Sequence, residues 1–303
     1  MSESTIELRL WRQFVAVADT LHFGRAAQSL HMTQPPLTQA IALLEQRLGV
    51  ALFERTKRSV QLTEAGRVLL PQARELLARA QALPTQARAA AAGEMGRLRL
   101  AFVSTVGFDL LPQWVRGFRE RYPLVQLELL EATGDLQLEL LARGEADAGL
   151  MLHSPGFAPE GLSHWVVTTE PMVLALPQHH RLARQEAPSL AEVLTEPLVV
   201  FPRRILPSAY DALIALYHAA GRPPKVVQEA IQMQTIVNLV SAGLGLAWVP
   251  QSVMQFQRSG VVYRQPGTLA RRRALPACET SLVWPTGNAA PALARFVEFV
   301  RAQ

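Results

Sequence analysis

One cysteine, Cys278, stands alone among 303 residues. A single thiol excludes an internal disulfide framework and a cysteine-rich zinc site, and it fits a reducing compartment. Charge is also sparse, at 18% against 49% hydrophobic residues. That balance excludes a disordered polar chain and leaves material for a sizeable core. Long apolar runs are missing as well. The longest, Leu239 to Pro250, spans about a dozen residues where a membrane helix needs ~20. The start, Met1-Ser2-Glu3-Ser4-Thr5-Ile6-Glu7, has neither the basic segment nor the apolar segment of a signal peptide. The expectation is a cytoplasmic protein with no membrane partner.

At roughly 150 residues per domain, the length suggests about two domains. The net charge of +5 is too mild to announce a nucleic-acid binder, but its distribution is uneven. Residues 1–90 hold 11 basic against 7 acidic side chains, and residues 91–303 hold 19 against 18. Nearly all the positive excess lies in the first third.

Apolar residues recur at helical spacing at Leu10, Phe14 and Val17, again at Ala26, Ala27 and Leu30, and again at Leu37, Ile41, Leu44 and Leu48. The pattern predicts three short helices, broken at Gly24 and at His31-Met32-Thr33, with Gly49 closing the third in a left-handed conformation. Leu52 to Leu62 reads as a basic hairpin, and Thr63 as the N-cap of a long helix from about Glu64 to Ala92. The apolar stripe of that helix, flanked by Arg67, Arg74, Glu75 and Arg79, seeks a partner helix. Interior prolines cost about 3 kcal/mol each, so a kink or early end is expected near Pro84. A hinge is expected at Gly93-Glu94-Met95-Gly96.

Beyond the hinge, strands alternate with helices: Leu98–Val103, Val125–Leu130, Asp147–Leu152, Met172–Leu176, Leu198–Phe201, Val226–Gln228 and Leu246–Val249 are the strand segments. Such alternation implies parallel pairing and an α/β fold. About 200 residues are generous for one sheet, so two lobes around a cleft are expected.

Phe23 to Ile41 carries the sharpest local chemistry. Ala26 and Ala27 let a neighbouring helix approach, Thr33 stands at an N-cap, and Pro35 and Pro36 occupy a first helical turn, where their missing N–H groups do no harm. Gln34, Thr38 and Gln39 remain exposed, as a helix inserted into a DNA major groove requires. Glutamine can pair with the adenine edge, and threonine suits several bases. Arg55, Lys57 and Arg58 place three cations on the hairpin, suited to phosphate or minor-groove contact.

The sequence resembles the LysR-type transcriptional regulators over essentially its whole length. The likeness rests on Ala26-Ala27, Thr33-Gln34-Pro35-Pro36-Leu37-Thr38, Leu43-Leu44-Glu45, Leu48-Gly49, Leu52-Phe53-Glu54-Arg55 and Leu62-Thr63-Glu64-Ala65-Gly66. It implies a multidomain α plus α/β chain: a winged helix-turn-helix over residues 1–63, a dimerising linker helix over 64–92, and a periplasmic-binding-protein-like effector domain over 93–303. Within the latter, lobe I covers about 97–167 and 268–303, and lobe II about 168–267. By position, the resemblance assigns DNA contacts to Gln34, Pro35, Thr38, Gln39 and Arg58. Many members have Ser-Arg where this chain has Thr38-Gln39, so an operator half-site does not transfer from them. The partners implied are double-stranded operator DNA, a small-molecule effector, and further copies of the chain forming a homodimer through the linker helix and a homotetramer. RNA polymerase is a candidate partner. No cofactor is expected.

Two helix starts offer anion sites. Ser104 and Thr105 follow the first strand of the α/β region, and Ser208 and Asp211 have capping-box-like spacing. If they face one another across a cleft, they can grip one carboxylate. The resemblance places effectors near Ser104, Thr133 and Ser208, with Phe201, Pro202 and Gln232 as weaker candidates. Some relatives that sense aromatic acids have an arginine where this chain reads Leu150-Met151-Leu152-His153. Arg203 and Arg204 are possible substitutes, although adjacent arginines more often form a solvated surface.

Enzyme readings find little support. Gly243-Leu244-Gly245 lacks the third glycine of a dinucleotide fingerprint and the Lys-Ser/Thr of a phosphate loop. His179-His180 has no metal-ligand spacing, and Cys278 has no assignable base. Arg271-Arg272-Arg273 reads as a connection between lobes or an interface. A solute-binding module would explain the α/β part alone, leaving residues 1–90 unexplained.

Overall fold

The computed structural model describes residues 5–56, 59–267, 275–288 and 290–303, arranged in two compact units, Met1–Arg88 and Ala89–Gln303.

The first unit contains α1 (Leu8–Thr20), α2 (Phe23–Ser29), α3 (Gln34–Leu48), β1 (Phe53–Arg55), β2 (Val60–Leu62) and most of α4 (Glu64–Ala91). Leu10, Phe14 and Val17 of α1 pack with Ala26 and Ala27 of α2 and with Leu37, Ile41 and Leu44 of α3 in one core. The two alanines are almost fully buried, which leaves no room for larger side chains where the helices meet. Gly49 ends α3 with φ +71°, and β1 and β2 pair antiparallel from Phe53↔Leu62 to Arg55↔Val60.

Four expectations need correction here. Gly24 does not break a helix. It is the second residue of α2, where a Cβ would stand 3.0 Å from the His22 ring. Thr33 holds the extended N-cap backbone, yet among the described residues its side chain makes no capping bond. Pro35 and Pro36 explain this, since they remove two of the donors a cap would serve. The linker helix does not end early at Pro84 but runs on to Ala91. Pro71 and Pro84 are both exposed, so water can take up the carbonyls they leave free, and the other i to i−4 bonds of a long helix survive. The supposed hinge is a helix cap. Gly93, with φ +73°, donates to Ala90 O at 3.1 Å, Glu94 donates to Ala89 O at 2.9 Å, and the next strand starts at Met95. That is a Schellman closure. Thr63 does cap α4, accepting the Gly66 N–H at 3.0 Å.

The second unit continues with β3 (Met95–Phe102), α5 (Leu110–Arg121), β4 (Leu124–Glu131), α6 (Gly134–Ala142), β5 (Ala148–His153), β6 (Leu162–Pro177), α7 (Leu190–Val193), β7 (Pro197–Val200), α8 (Pro207–Ala219), β8 (Lys225–Glu229), α9 (Met233–Ser241), β9 (Ala247–Pro250), β10 (Val261–Arg264), β11 (Ala277–Pro285) and α10 (Pro291–Arg301). The large sheet runs β10-β6-β11-β5-β3-β4, with β9 also on β6, while β7 and β8 form a separate pair. Pairing is mixed rather than all parallel. β3 is parallel to β4 and β5, and β7 to β8, but β6 and β11 meet their neighbours antiparallel.

The length of β6 sets the architecture. Its first part, from Leu162 to Pro171, pairs with β11, and its second part, from Met172 onward, pairs with β9 and β10. One strand thereby crosses between two separate cores. Trp114, Phe118 and Phe296 belong to the first, and Leu213, Tyr217 and Trp248 to the second. The Gly243–Gly245 segment is a turn between α9 and β9, where a Cβ on Gly245 would approach Pro197 O to 2.5 Å. Among the described residues no helix is long and apolar enough to cross a membrane, and no His/Cys/Asp/Glu cluster is arranged to hold a metal ion. Arg271, Arg272 and Arg273 lie outside the described residues.

Candidate nucleic-acid interface and ligand cleft

Helix α3 buries Leu37, Ala40, Ile41 and Leu44. The opposite face therefore carries Gln34, Pro35 and Gln39 into solvent, with Thr33 exposed just ahead and Thr38 half-buried. The Thr38 hydroxyl donates to Gln34 O at 3.1 Å, so its proton is engaged and its oxygen keeps acceptor capacity. Gln34 also borders a groove of about 250 Å³ with His22, Gly24, Thr56 and Ser59, which brings the first turn of α3 beside the hairpin.

Glu45, whose position in the chain carries no hint of a supporting role, fixes that hairpin to α3. Its carboxylate accepts the N–H groups of Leu52 at 2.8 Å and Phe53 at 3.1 Å, and pairs with Arg55 at 3.0 Å. Arg55 also lies over the Phe23 ring, 4.7 Å from its centroid. Arg55 thus helps to hold the hairpin while its side chain stays partly exposed. Lys57 and Arg58 lie outside the described residues. A second support missed from sequence is His22, whose Nδ1 accepts the Arg25 N–H at 3.2 Å and caps α2.

In the second unit, a narrow cleft is lined by Ser104, Thr105, Thr133, Gly134, Gln232 and Met233 among polar and helix-start residues, with Val103, Leu152, Ile205 and Ile231 as apolar wall. Three helical starts converge there: a 3-10 turn from Ser104, α6 after Thr133, and α9 after Gln232. Their N–H groups give the cleft positive character without a lysine or arginine in its lining. Its interior is small, about 40 Å³, enough for a few waters at roughly 10–15 Å³ each.

Of the residues expected there, Ser104, Thr105, Thr133 and Gln232 are brought together. Phe201, Pro202 and Ser208 are not part of the lining. Phe201 is fully buried and packs edge-on to Tyr210 at 6.3 Å. Ser208 forms no capping box: α8 starts at Pro207, the Ser208 hydroxyl accepts the Ser154 N–H at 2.9 Å, and Asp211 is held by Arg203 through two 2.8 Å bonds. That ion pair occupies Arg203. Arg204 pairs at 3.2 Å with Asp135, whose other oxygen accepts the Thr133 hydroxyl. Burial opposes the Asp135 charge, but the Thr133 hydroxyl, the Leu136 N–H and Arg204 outweigh it and hold the carboxyl below its usual range.

His153 is buried, with Nε2 2.9 Å from Ser281 Oγ and Nδ1 2.8 Å from Ser154 O, a core arrangement. His180 caps a 3-10 turn through the Leu182 N–H at 3.2 Å. Burial pushes the Cys278 thiol up to about 12, with Glu170 adding to it, which leaves it unreactive as a nucleophile.

Residues 8–67 match the family described as "Bacterial regulatory helix-turn-helix protein, lysR family", and residues 91–303 match "LysR substrate binding domain". The chain is 43% identical to the HTH-type transcriptional regulator IlvR of Caulobacter vibrioides, covering 97% of each sequence. It is 39% identical to AlsR of Bacillus subtilis, covering 86% of this chain and 85% of that one. Among solved structures it resembles CbnR, a LysR family transcriptional regulator, with a TM-score of 0.79 at 30% identity over 98% of this chain and 100% of that one. A structure of full-length CbnR complexed with its target DNA gives 0.80 at 29% identity, covering 98% and 99%.

Proposed function

The chain belongs to the LysR family of bacterial helix-turn-helix regulators, and on that premise we propose how its two units divide the work. It is a DNA-binding transcriptional regulator with an effector-binding domain, not an enzyme. In the proposed division, α3 enters the major groove of operator DNA. Thr33, Gln34, Pro35, Thr38 and Gln39 meet base edges and adjacent backbone there, and Lys57 and Arg58 of the hairpin hold phosphate. Arg55 fixes the hairpin in place and offers its exposed side to phosphate. The observation that carries this reading is the exposure of Gln34, Pro35 and Gln39 on a helix whose other face is locked in the core.

The proposed effector is a small carboxylate bound among Ser104, Thr133 and Gln232, between the two lobes. Convergent helix starts supply donors for an anion, and the apolar wall of Leu152, Ile205 and Ile231 supplies surface for a short carbon skeleton. Entry requires the lobes to part, because the present interior admits only water. Ligand binding then shifts an existing balance between lobe angles. Helix α4 exposes Val68, Leu76 and Leu83, which supports pairing through this helix into a dimer, and of dimers into a tetramer matched to paired half-sites. The setting proposed is the cytoplasm, with RNA polymerase as a further partner.

Gel-shift titration against the chain's own promoter tests the DNA assignment. Specific retention competed poorly by unrelated DNA is the expected result, and equal competition by any duplex would refute it. A thermal-shift screen of small acids tests the effector assignment, since stabilisation grows with ligand over Kd.

A further inference from the structure

A second cavity, separate in chemistry from the cleft, lies beside the strands that cross between lobes. It measures about 400 Å³ and is lined by Thr105, Asp109 and Leu110 from the start of α5 and the turn before it, Thr168 to Pro171 of β6, Gln251, Ser252 and Gln255 after β9, and Thr280 of β11. That volume falls within the range of small-molecule sites. No lysine, arginine or histidine is among its lining residues.

Two carboxylates face this space without a cation. Glu170 is half-buried, accepting the Ser252 N–H at 2.5 Å and the Ser252 hydroxyl at 3.0 Å. Asp109 has one neighbour contact, the Gln113 amide at 3.3 Å. Burial and the like charge of Asp109 both work against ionised Glu170, pushing its carboxyl up. Neither has an ion-pair partner among the described residues.

A buried threonine, Thr105, adds an independent sign of a missing ligand. Thr280 is 3% exposed and lines the cavity. It stands directly opposite Thr168 in the β11–β6 register, so the two share one sheet face with Glu170. All three line the cavity, which aims the Thr280 side chain into it. Thr105, 4% exposed, has a buried hydroxyl oxygen without a partner among the described residues. A buried hydroxyl left unpaired is costly, and a bound donor relieves it.

We propose that this cavity is a second ligand site, taking a small molecule with a protonated amine. An ammonium group supplies three donors and no acceptor. It matches two uncompensated carboxylates and hydroxyl oxygens, and the Gln251 and Gln255 amides suit polar groups further along the ligand. The lining comes from both lobes, and Thr105 borders the effector cleft as well, so occupancy of the amine site biases the lobe angle that the cleft reads.

The full-length protein is titrated by calorimetry with methylammonium and with 1,4-diaminobutane, against sodium chloride at matched ionic strength. Saturable binding of an amine is expected, weakened at least tenfold by Asp109→Asn and by Glu170→Gln and severalfold by Thr280→Val. Ser104→Ala should leave amine affinity unaltered, which separates this site from the proposed carboxylate cleft. Asp109 is exposed, so its variant decides the matter even if Glu170→Gln compromises folding. Absence of saturable binding, an equal response to sodium, or unchanged affinity in Asp109→Asn would overturn the proposal.

Discussion

Arg204 lies 3.2 Å from Asp135, joining the turn before α8 to the first turn of α6 at the edge of the cleft. The pair is solvent-exposed on the Arg204 side, so its worth to folding is at most about 1 kcal/mol. Its signature is in pH dependence. Asp135 is held below the usual carboxyl range when folded. The stability it contributes is therefore present above the unfolded pKa and is lost as pH falls through the lowered folded value. Arg204→Ala should move that acid loss to higher pH. Melting temperatures measured across the acidic range check this, and superimposable profiles for the two proteins would count against the pair.

The DNA assignments separate by kind of effect. Gln34→Ala should cost about 1–3 kcal/mol on the preferred operator and relax choice at one base position. Arg58→Ala should weaken all sequences alike and reduce the salt slope by about one unit. Affinity measured at several salt concentrations, on the operator and on a mutated operator, distinguishes the two.

Glu45→Ala removes the acceptor for Leu52 and Phe53 N–H groups and the partner of Arg55 at once. A hairpin held by three such bonds should loosen, and operator affinity should fall although Glu45 itself repels phosphate. Amide exchange at Leu52 and Phe53, faster in the variant, provides the structural readout.

Gly66 sits where α4 crosses the hairpin, and a Cβ there would come 2.3 Å from Leu52 O. Backbone cannot yield as a flexible side chain can, so Gly66→Ala should destabilise the first unit by about 1–3 kcal/mol. Chemical denaturation of the isolated transition for that unit measures it.

Leu76→Glu and Leu83→Glu place charge on exposed apolar positions of α4. If this stripe pairs two chains, the variants should sediment as smaller species than the parent protein. Unchanged sedimentation would move the dimer contact elsewhere.

Much of the first unit was legible because its signals are local. The spacing of Leu37, Ile41 and Leu44 marks a buried face whatever lies around it, and Gly49 marks its end. The parts misread depend on neighbours distant in sequence. The hold of Glu45 on Arg55, ten positions on, leaves no mark in the spacing. Ser208 has the spacing of a cap, but the Ser154 N–H claims its hydroxyl. The strands β10 and β11 escaped notice for a related reason. β11 mixes buried and half-buried positions without strict alternation, and its partners β5 and β6 lie far back in the chain. Thr133 and Gln232 entered the cleft as expected, whereas its apolar wall of Leu152, Ile205 and Ile231 arises only from the folding of separate segments.

The closure at Gly93 has a mechanical consequence. A Cβ at this position would meet Pro291 O at 2.2 Å, and Arg295 Nε donates to Ala92 O at 2.8 Å. The chain's last helix thus forms a collar on the final turn of α4. Such a collar guards the last helical turn against fraying, so the amides that close it at Gly93 and Glu94 should exchange more slowly than those of an uncovered helix end.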